Sequence, residues 1–370
     1  MIVGVPREFQ VQEYRVGMTP AGVARLVERG HEVLVASGAG VDSGIPDETY
    51  LRMGARVCSN VEEVYGSAEM VVKVKEPTEV ELPLMRDGSL ICSFLHLATR
   101  SDLVHSMSDR GLTALAYETV EDPRGRLPLL RPMSEISGRM ATQVGANCLV
   151  KENGGKGILL GGVPGVKPGV VVILGGGTVG ANAAKVAVGM GAAVYVLDRD
   201  IRRLSYLDDI FGGRVKTVFS DAASIDELVP QADLLIGAVL ETGRTATMLV
   251  SEARVRQMDT GSVIVDVSVD QGGCVETTRP TSHGNPTFEK FGVIHYGVPN
   301  MPGAVARTST FALGNATIGF VADLADLGLK AAMEKDPGLG LGVNIHNGHV
   351  THRGVAESLG VPFCEVGDLL

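Results

Sequence analysis

Val170-Val171-Val172-Ile173-Leu174-Gly175-Gly176-Gly177-Thr178-Val179-Gly180 is the stretch that decides the fold. A short β-branched run enters a glycine turn, and a helical pattern, Ala181–Val188, leaves it. This is GxGxxG in the setting that gives it meaning, between a strand and a helix. Gly175 makes the tight turn, Gly177 lets the backbone approach a pyrophosphate, and Gly180 permits close helix–strand packing. The helix N-terminus supplies unpaired N–H groups and positive potential for phosphate oxygens. A second strand ends at Asp198, the distance at which a carboxylate reaches the adenine ribose 2′-OH. An anion there repels the extra phosphate of NADP, so NAD is the expected cofactor. Arg199, Arg202 and Arg203 temper that preference, since an arginine accommodates such a phosphate. The plain alternative is a Rossmann-like turn that binds no phosphate.

Outward from this turn, apolar runs alternate with helical patterns in both directions. Toward the C-terminus the strands are Val170–Leu174, Ala193–Leu197, Val215–Phe219, Leu234–Ala238, Val263–Val267 and Val293–Tyr296, enough for a full dinucleotide domain. Toward the N-terminus they are Ile2–Pro6, Glu32–Ala36, Met70–Val74, Leu90–Phe94 and Thr113–Tyr117. Thr19–Arg29 reads as a helix with Thr19 as N-cap, Pro20 at its first position and Gly30 as its stop. Asp102–Arg110 before Gly111 repeats the pattern. Arg131–Leu149 is a long helical pattern opening at Ser134, followed by a glycine-rich link, Asn153–Gly169. Thr308–Leu327 is a long apolar helix, and Asn347-Gly348 between Val343–His346 and His349–Thr351 signals a hairpin. The expected fold class is α/β, with two doubly wound Rossmann-like domains and a cleft between them. The expected division is a discontinuous catalytic domain, 1–128 plus 308–370, and an NAD-binding domain, 129–307.

The 370 residues suit two domains, and 45% hydrophobic with 21% charged residues describes an ordinary globular chain. Acidic residues outnumber basic ones by 43 to 33, which argues against a nucleic-acid partner. Cys58, Cys92, Cys148, Cys274 and Cys364 show no CxxC pair and no zinc spacing, so no metal is expected and the thiols read as reduced. The start, Met1-Ile2-Val3-Gly4-Val5-Pro6, looks like a strand rather than a signal peptide. Pro164, Lys167 and Pro168 interrupt the most apolar region, which excludes it as a membrane span. A cytoplasmic enzyme acting on a small molecule, with no membrane partner, is the expectation.

In open parallel sheets function gathers beyond the strand carboxyl ends. Arg15 follows the first strand, Lys75 follows Val71-Val72-Lys73-Val74, His96 follows the Ser89–Leu95 run, and Asp270 follows Val263–Val267. Each has an ordinary alternative. Lys75 is otherwise a solvated strand end, His96 a structural histidine, Arg15 a partner for Glu13, and Asp270 a turn residue. Together they fit oxidation of an amino acid by NAD. Arginine's planar fork grips a carboxylate, and lysine binds the same group or polarises a carbonyl. Histidine titrates near neutrality and shuttles protons, and an aspartate beside the nicotinamide shares that traffic.

Glu13–Gly22, Val72–Pro77, Leu95–Ala98, Arg131–Glu135, Asp266–Gly273 and Val298–Gly303 resemble the alanine dehydrogenase family, in its order and over almost the whole length. The resemblance implies oxidative deamination of L-alanine to pyruvate and ammonia, and the reverse. Arg15 and Lys75 would bind substrate, and His96 and Asp270 would transfer protons. NAD contacts would fall on Ser134, Thr178, Val179, Asp198, Arg203, Ser220, Val239, Leu240, Val267, Ser268, Val269, Asp270, Val298, Pro299, Asn300 and Met301, with Arg279 a weaker candidate. The family further implies that the tail returns to the first domain and that the enzyme is a homohexamer. Gly176 and Gly17 stand where the family usually or often has alanine, and both suit a close backbone approach. Three rival readings stand beside it: the NAD-binding subunit of a proton-translocating transhydrogenase, which shares the fold and many of these segments; a saccharopine-type dehydrogenase, a relative whose motifs match less closely; and a non-catalytic NAD-binding module that has kept a Rossmann domain.

Overall fold

The computed structural model describes residues 1–239 and 246–370. Among the described residues six strands open the chain: β1 (Ile2–Val5), β2 (Glu32–Ala36), β3 (Arg56–Cys58), β4 (Met70–Val72), β5 (Leu90–Ser93) and β6 (Thr113–Ala116). Seven follow: β7 (Val170–Leu174), β8 (Ala193–Asp198), β9 (Val215–Phe219), β10 (Leu234–Gly237), β11 (Val263–Asp266), β12 (Thr287–Lys290) and β13 (Val293–Tyr296). Two short ones close it, β14 (Val343–His346) and β15 (His349–Val350). The chain divides into two compact units, residues 1–133 with 303–370, and residues 134–302.

The first unit carries one sheet in the order β15-β14-β6-β5-β4-β1-β2-β3. Strands β1 to β6 are all parallel, while β14 joins antiparallel to β6 and turns back into β15. The hairpin forms because Asn347 (φ 48°) and Gly348 (φ 82°) both take the left-handed backbone its two-residue turn demands. The tail is thereby hydrogen-bonded into the sheet of the N-terminal residues. Helices cover the sheet, so its central strands are buried: Val71, Ile91, Ala114 and Ile345 pack with Leu103, Met107 and Val355. The helix Pro20–Glu28 starts as its sequence dictates, with the Thr19 hydroxyl accepting from Gly22 N at 3.3 Å and Gly30 ending it at φ 83°.

The second unit carries a sheet in the order β12-β13-β11-β10-β7-β8-β9, parallel except for the edge strand β12. Val172, Leu174, Leu235 and Ile264 lie in one core with Ile225 and Val255 from the covering helices. Both sheets therefore reverse direction at the same place in their order, between the first and fourth parallel strands, β1/β4 and β7/β10. The two doubly wound units expected from the alternation of strands and helices are present.

Three elements differ from expectation. Strand β3 is three residues long and β12 is polar, so neither shows an apolar run. The apolar helix expected over Thr308–Leu327 spans Ala306–Lys335, but Gly328 breaks it with φ 74° and ψ 172°, right after Leu327.

Candidate active site

The glycine turn after β7 is built as its spacing requires. Gly175 has φ 100°, and a Cβ there would lie 2.5 Å from the carbonyl oxygen of Ala238 at the end of β10. Gly180, in the first turn of the helix Thr178–Gly189, lies so close to the glycine turn that a Cβ would sit 1.8 Å from Gly175 O. Gly177 is different: a Cβ there meets nothing within 4 Å. The protein itself does not need glycine at 177, which leaves a bare, open backbone where a phosphate would approach the helix start. At Gly176 a Cβ would come 2.9 Å from a Leu207 methyl, the movable end of a side chain.

Asp198, at the end of β8, holds this turn. Its Oδ2 accepts from Gly176 N at 2.6 Å and its Oδ1 from Asp200 N at 2.8 Å. Arg203 donates to the carbonyls of Gly176 and Gly177. Ser220 follows β9, buried, with its N–H donating to Asp198 O at 3.0 Å. Ser134 lies one turn before Gly138 in the helix Arg131–Cys148, and Gly138 presses on the carbonyl of Val179, where a Cβ would be only 2.1 Å away. That contact carries Ser134 to the start of the glycine-turn helix.

The loops after β10, β11 and β13 complete this edge. Val239 is half-buried, and its carbonyl accepts from the Ser268 hydroxyl at 2.7 Å. Leu240 lies outside the described residues. Val267 N donates to Gly237 O at 2.9 Å, Val269 is buried, and Asp270 is exposed in a 3-10 turn, Val269–Gln271. Val298 and Met301 are buried, Pro299 is half-buried, and Asn300 takes a left-handed φ of 59°. Arg279 is exposed and stacks its guanidinium over Phe288 at 4.5 Å.

Asp266 organises the middle of that edge and was not anticipated. The last residue of β11, it accepts from Ser268 N (3.1 Å), Cys274 N (2.9 Å) and Val275 N (3.2 Å). One buried carboxylate thus closes the loop that bears Asp270. Burial pushes its pKa up to about 6, against the pull of the backbone N–H groups. An aspartate inside Val263–Val267, an otherwise apolar run, is the signal that could have found it.

The first unit presents ions at its corresponding edge. Arg15 is buried and gripped by Glu13: its Nε lies 2.6 Å from Oε1 and its Nη2 2.5 Å from Oε2. Its Nη1 points at Met133 Sδ, 3.2 Å away. Both the pairing with Glu13 and a substrate role suit such a pre-oriented guanidinium. Lys75 is half-buried beyond β4, and its backbone N–H, with that of Val74, donates to the Glu8 carboxylate. Below it Lys73, fully buried, bonds Glu81 at 2.5 Å and Glu8 at 3.2 Å. Burial disfavours the Lys73 charge, yet the two carboxylates outweigh it and raise its pKa; the Glu81 carboxyl is held low by Lys73 despite burial. Glu8, the third member, is raised by its burial. The lone lysine in the apolar run Met70-Val71-Val72-Lys73-Val74 was the visible trace of this cluster.

His96 is exposed just past β5, in the left-handed backbone region at φ 50°, with Phe94 stacked beside it at 6.4 Å. Its backbone N–H donates to Glu118 Oε1 at 2.6 Å. Arg15, Lys75 and His96 thus stand on loops after β1, β4 and β5, neighbours in one sheet. Asp270 and the nucleotide residues stand on the other. Among the described residues no cluster of His, Cys, Asp and Glu is spaced to hold a metal ion, and no helix is long and apolar enough to cross a membrane.

Two doubly wound units, one with a phosphate-ready glycine turn and the other with an arginine, a lysine and a histidine at its edge, define a dinucleotide-binding oxidoreductase. The N-terminal domain family of alanine dehydrogenase/PNT matches residues 4–137, and its C-terminal domain family matches residues 141–353. The chain belongs to that family. It is 52% identical to an alanine dehydrogenase of Methanococcus maripaludis over 364 residues, 98% of each chain. It is 51% identical to the Bacillus subtilis alanine dehydrogenase, covering 98% of this chain and 96% of that one. A solved L-alanine dehydrogenase superposes with a TM-score of 0.95 at 53% identity, covering 97% of this chain and 99% of the other. A transhydrogenase from Sinorhizobium meliloti shares the fold at a TM-score of 0.82 but only 24% identity, over 95% and 99% of the two chains.

Proposed function

We propose that this enzyme oxidises L-alanine with NAD and water to pyruvate, ammonium, NADH and a proton, and runs the reverse reductive amination. The single observation that carries the reading is the arginine–lysine–histidine set on three adjacent loops of the first unit's sheet. It is charge-matched to a small carboxylate whose neighbouring carbon exchanges protons, and the full-length likeness to alanine dehydrogenases supports the same chemistry.

Bound NAD supplies the hydride acceptor. Gly177, Thr178 and Val179 offer backbone to its phosphates, and Asp198 offers its carboxylate to a ribose hydroxyl. The Asp198 charge, already engaged by two N–H groups, disfavours a 2′-phosphate, which makes NAD the preferred cofactor over NADP. Arg15 holds the alanine carboxylate in the orientation Glu13 imposes on its guanidinium. Lys75 takes a second contact to the substrate and polarises the pyruvate carbonyl in reverse. His96 moves protons to and from the substrate nitrogen and the attacking water. Asp270 steadies the positive charge that develops on the substrate when its hydride leaves. By resemblance to the family, the enzyme is a cytoplasmic homohexamer.

Purified protein with NAD and a panel of amino acids tests this. NADH should appear with L-alanine and be consumed with pyruvate plus ammonium. Turnover with another amino acid but none with L-alanine would overturn the substrate assignment.

A further inference from the structure

We infer that Glu118 is a positioning residue that holds the imidazole of His96 in its working direction. The inference rests on the reading of His96 as the proton-transfer group. His96 sits at φ 50° and ψ 37°, a left-handed backbone state that is unfavourable for a residue with a side chain. Such a state persists only where its surroundings enforce it. Here the enforcing group is a carboxylate from the exit of the next strand. Glu118, in the 3-10 turn Tyr117–Thr119 after β6, accepts from His96 N at 2.6 Å and from Leu95 N at 3.2 Å. Its other oxygen lies 3.3 Å from Leu95 N.

Two consecutive N–H groups turned to one side form a concave anion seat, and the protein fills that seat with its own glutamate. The ring of His96 has no side-chain hydrogen bond among the described residues, only the face of Phe94 beside it. Nothing on the imidazole itself sets its direction, so the backbone does. Glu118 therefore acts on the ring through φ and ψ. Its own turn is anchored from two sides. Tyr117 packs edge-on against Phe94 at 5.4 Å, and the Thr119 hydroxyl donates to Asn344 Oδ1 at 3.0 Å on β14. The helix Arg353–Leu359 in turn covers the 3-10 turn Leu97–Thr99 that follows His96. The tail strand thus braces the Glu118 turn and the tail helix the turn that follows His96.

Without the carboxylate, residues 95 and 96 relax toward a right-handed or extended backbone and the ring swings away. The test is a cycle of Glu118→Ala, His96→Ala and the double variant in the intact enzyme, assayed for alanine oxidation and for NADH binding by fluorescence. Glu118→Ala should lower kcat by roughly 10- to 100-fold, the size of effect a misplaced catalytic group produces, and leave the NADH Kd unchanged. The double variant should be no slower than His96→Ala, because a residue that acts only through His96 has nothing further to lose. Glu118→Gln, which keeps one acceptor oxygen, should recover part of the rate, and it carries the test if Glu118→Ala does not fold. Multiplicative losses in the double variant would overturn the inference, as would normal kcat in both Glu118 variants alongside a crippled His96→Ala. Normal turnover in His96→Ala would instead overturn the reading of His96 itself.

Discussion

In both units the loop after the first strand leans on the end of the fourth, and in both a glycine makes that possible. A Cβ at Gly17 would lie 2.4 Å from Val72 O, and one at Gly175 would lie 2.5 Å from Ala238 O. The strand order and the close approach are the same, yet what fills the crevice is not. The first unit places Glu8, Glu13, Arg15, Lys73 and Glu81 there, all buried. The second places three glycines and open helix N–H groups. A small zwitterion needs charges fixed in position, and a dinucleotide needs backbone that can come near. One topology serves either end, and the side chains at the carboxyl edge decide which.

A device is nevertheless shared. Carboxylates capture the backbone N–H groups of the functional loops: Glu8 at Val74 and Lys75, Glu118 at Leu95 and His96, Asp198 at Gly176, and Asp266 at Ser268, Cys274 and Val275. Loops are ordinarily the most mobile parts of a fold. These are pinned, by Glu8, Glu118 and Asp198 from a neighbouring strand's exit and by Asp266 from the end of the loop's own strand.

The ionic crevice is broken most severely at its centre. Lys73→Ala leaves Glu8 and Glu81 buried without their cation and should cost about 3–5 kcal/mol of stability, read as a large drop in melting temperature at neutral pH. The second unit has its own buried charge, and its pH response sharpens the contrast. The Asp266 carboxyl stands at about 6 in the folded protein, above its ordinary 3.8. The native state therefore binds that proton more tightly than the unfolded chain does. Its contribution to stability is complete below about pH 4 and is lost as pH rises through 6, about 3 kcal/mol in all. Melting curves of wild type and Asp266→Asn between these pH values should converge or cross rather than run parallel; parallel curves contradict the shift.

The glycine turn is probed by a pair of alanines. Gly180→Ala should cost about 1–3 kcal/mol, because its new methyl meets a backbone carbonyl that cannot move alone. Gly177→Ala, with nothing near its Cβ, should melt like wild type yet bind NADH roughly tenfold more weakly, or about 1.4 kcal/mol. Equal NADH affinity in wild type and Gly177→Ala would remove the phosphate from that position. Smallest is Asp198→Gly, which should narrow the preference for NAD over NADP several-fold; an unchanged ratio of kcat/KM for the two cofactors counts against the ribose contact.

Much of this was legible in the sequence, and the rest was hidden for physical reasons. Strand–turn–helix punctuation revealed the glycine turn, and Asn347-Gly348 revealed the hairpin, because both depend on local backbone conformation. Arg15, Lys75, His96 and Asp270 could be placed at strand ends because each follows an apolar run. Glu13, two residues from Arg15, was visible as its partner, but the groups that hold the other loops were not. Glu118 acts on His96 across 22 positions, and Glu8 reaches Val74 across 66. Such distances are closed only by parallel pairing, which no local pattern encodes. Strands β3 and β12 escaped for a simpler reason, being short or polar.

The division of labour between the two edges is tested most directly by comparing Arg15→Ala with Gly177→Ala for NADH binding and for alanine oxidation at saturating NAD. Arg15→Ala should bind NADH as wild type does and lose at least about 100-fold in kcat/KM for L-alanine. Gly177→Ala should weaken NADH while keeping most of its kcat once the cofactor saturates. If Arg15→Ala instead loses NADH and keeps its efficiency with alanine, the two edges have been assigned the wrong ligands.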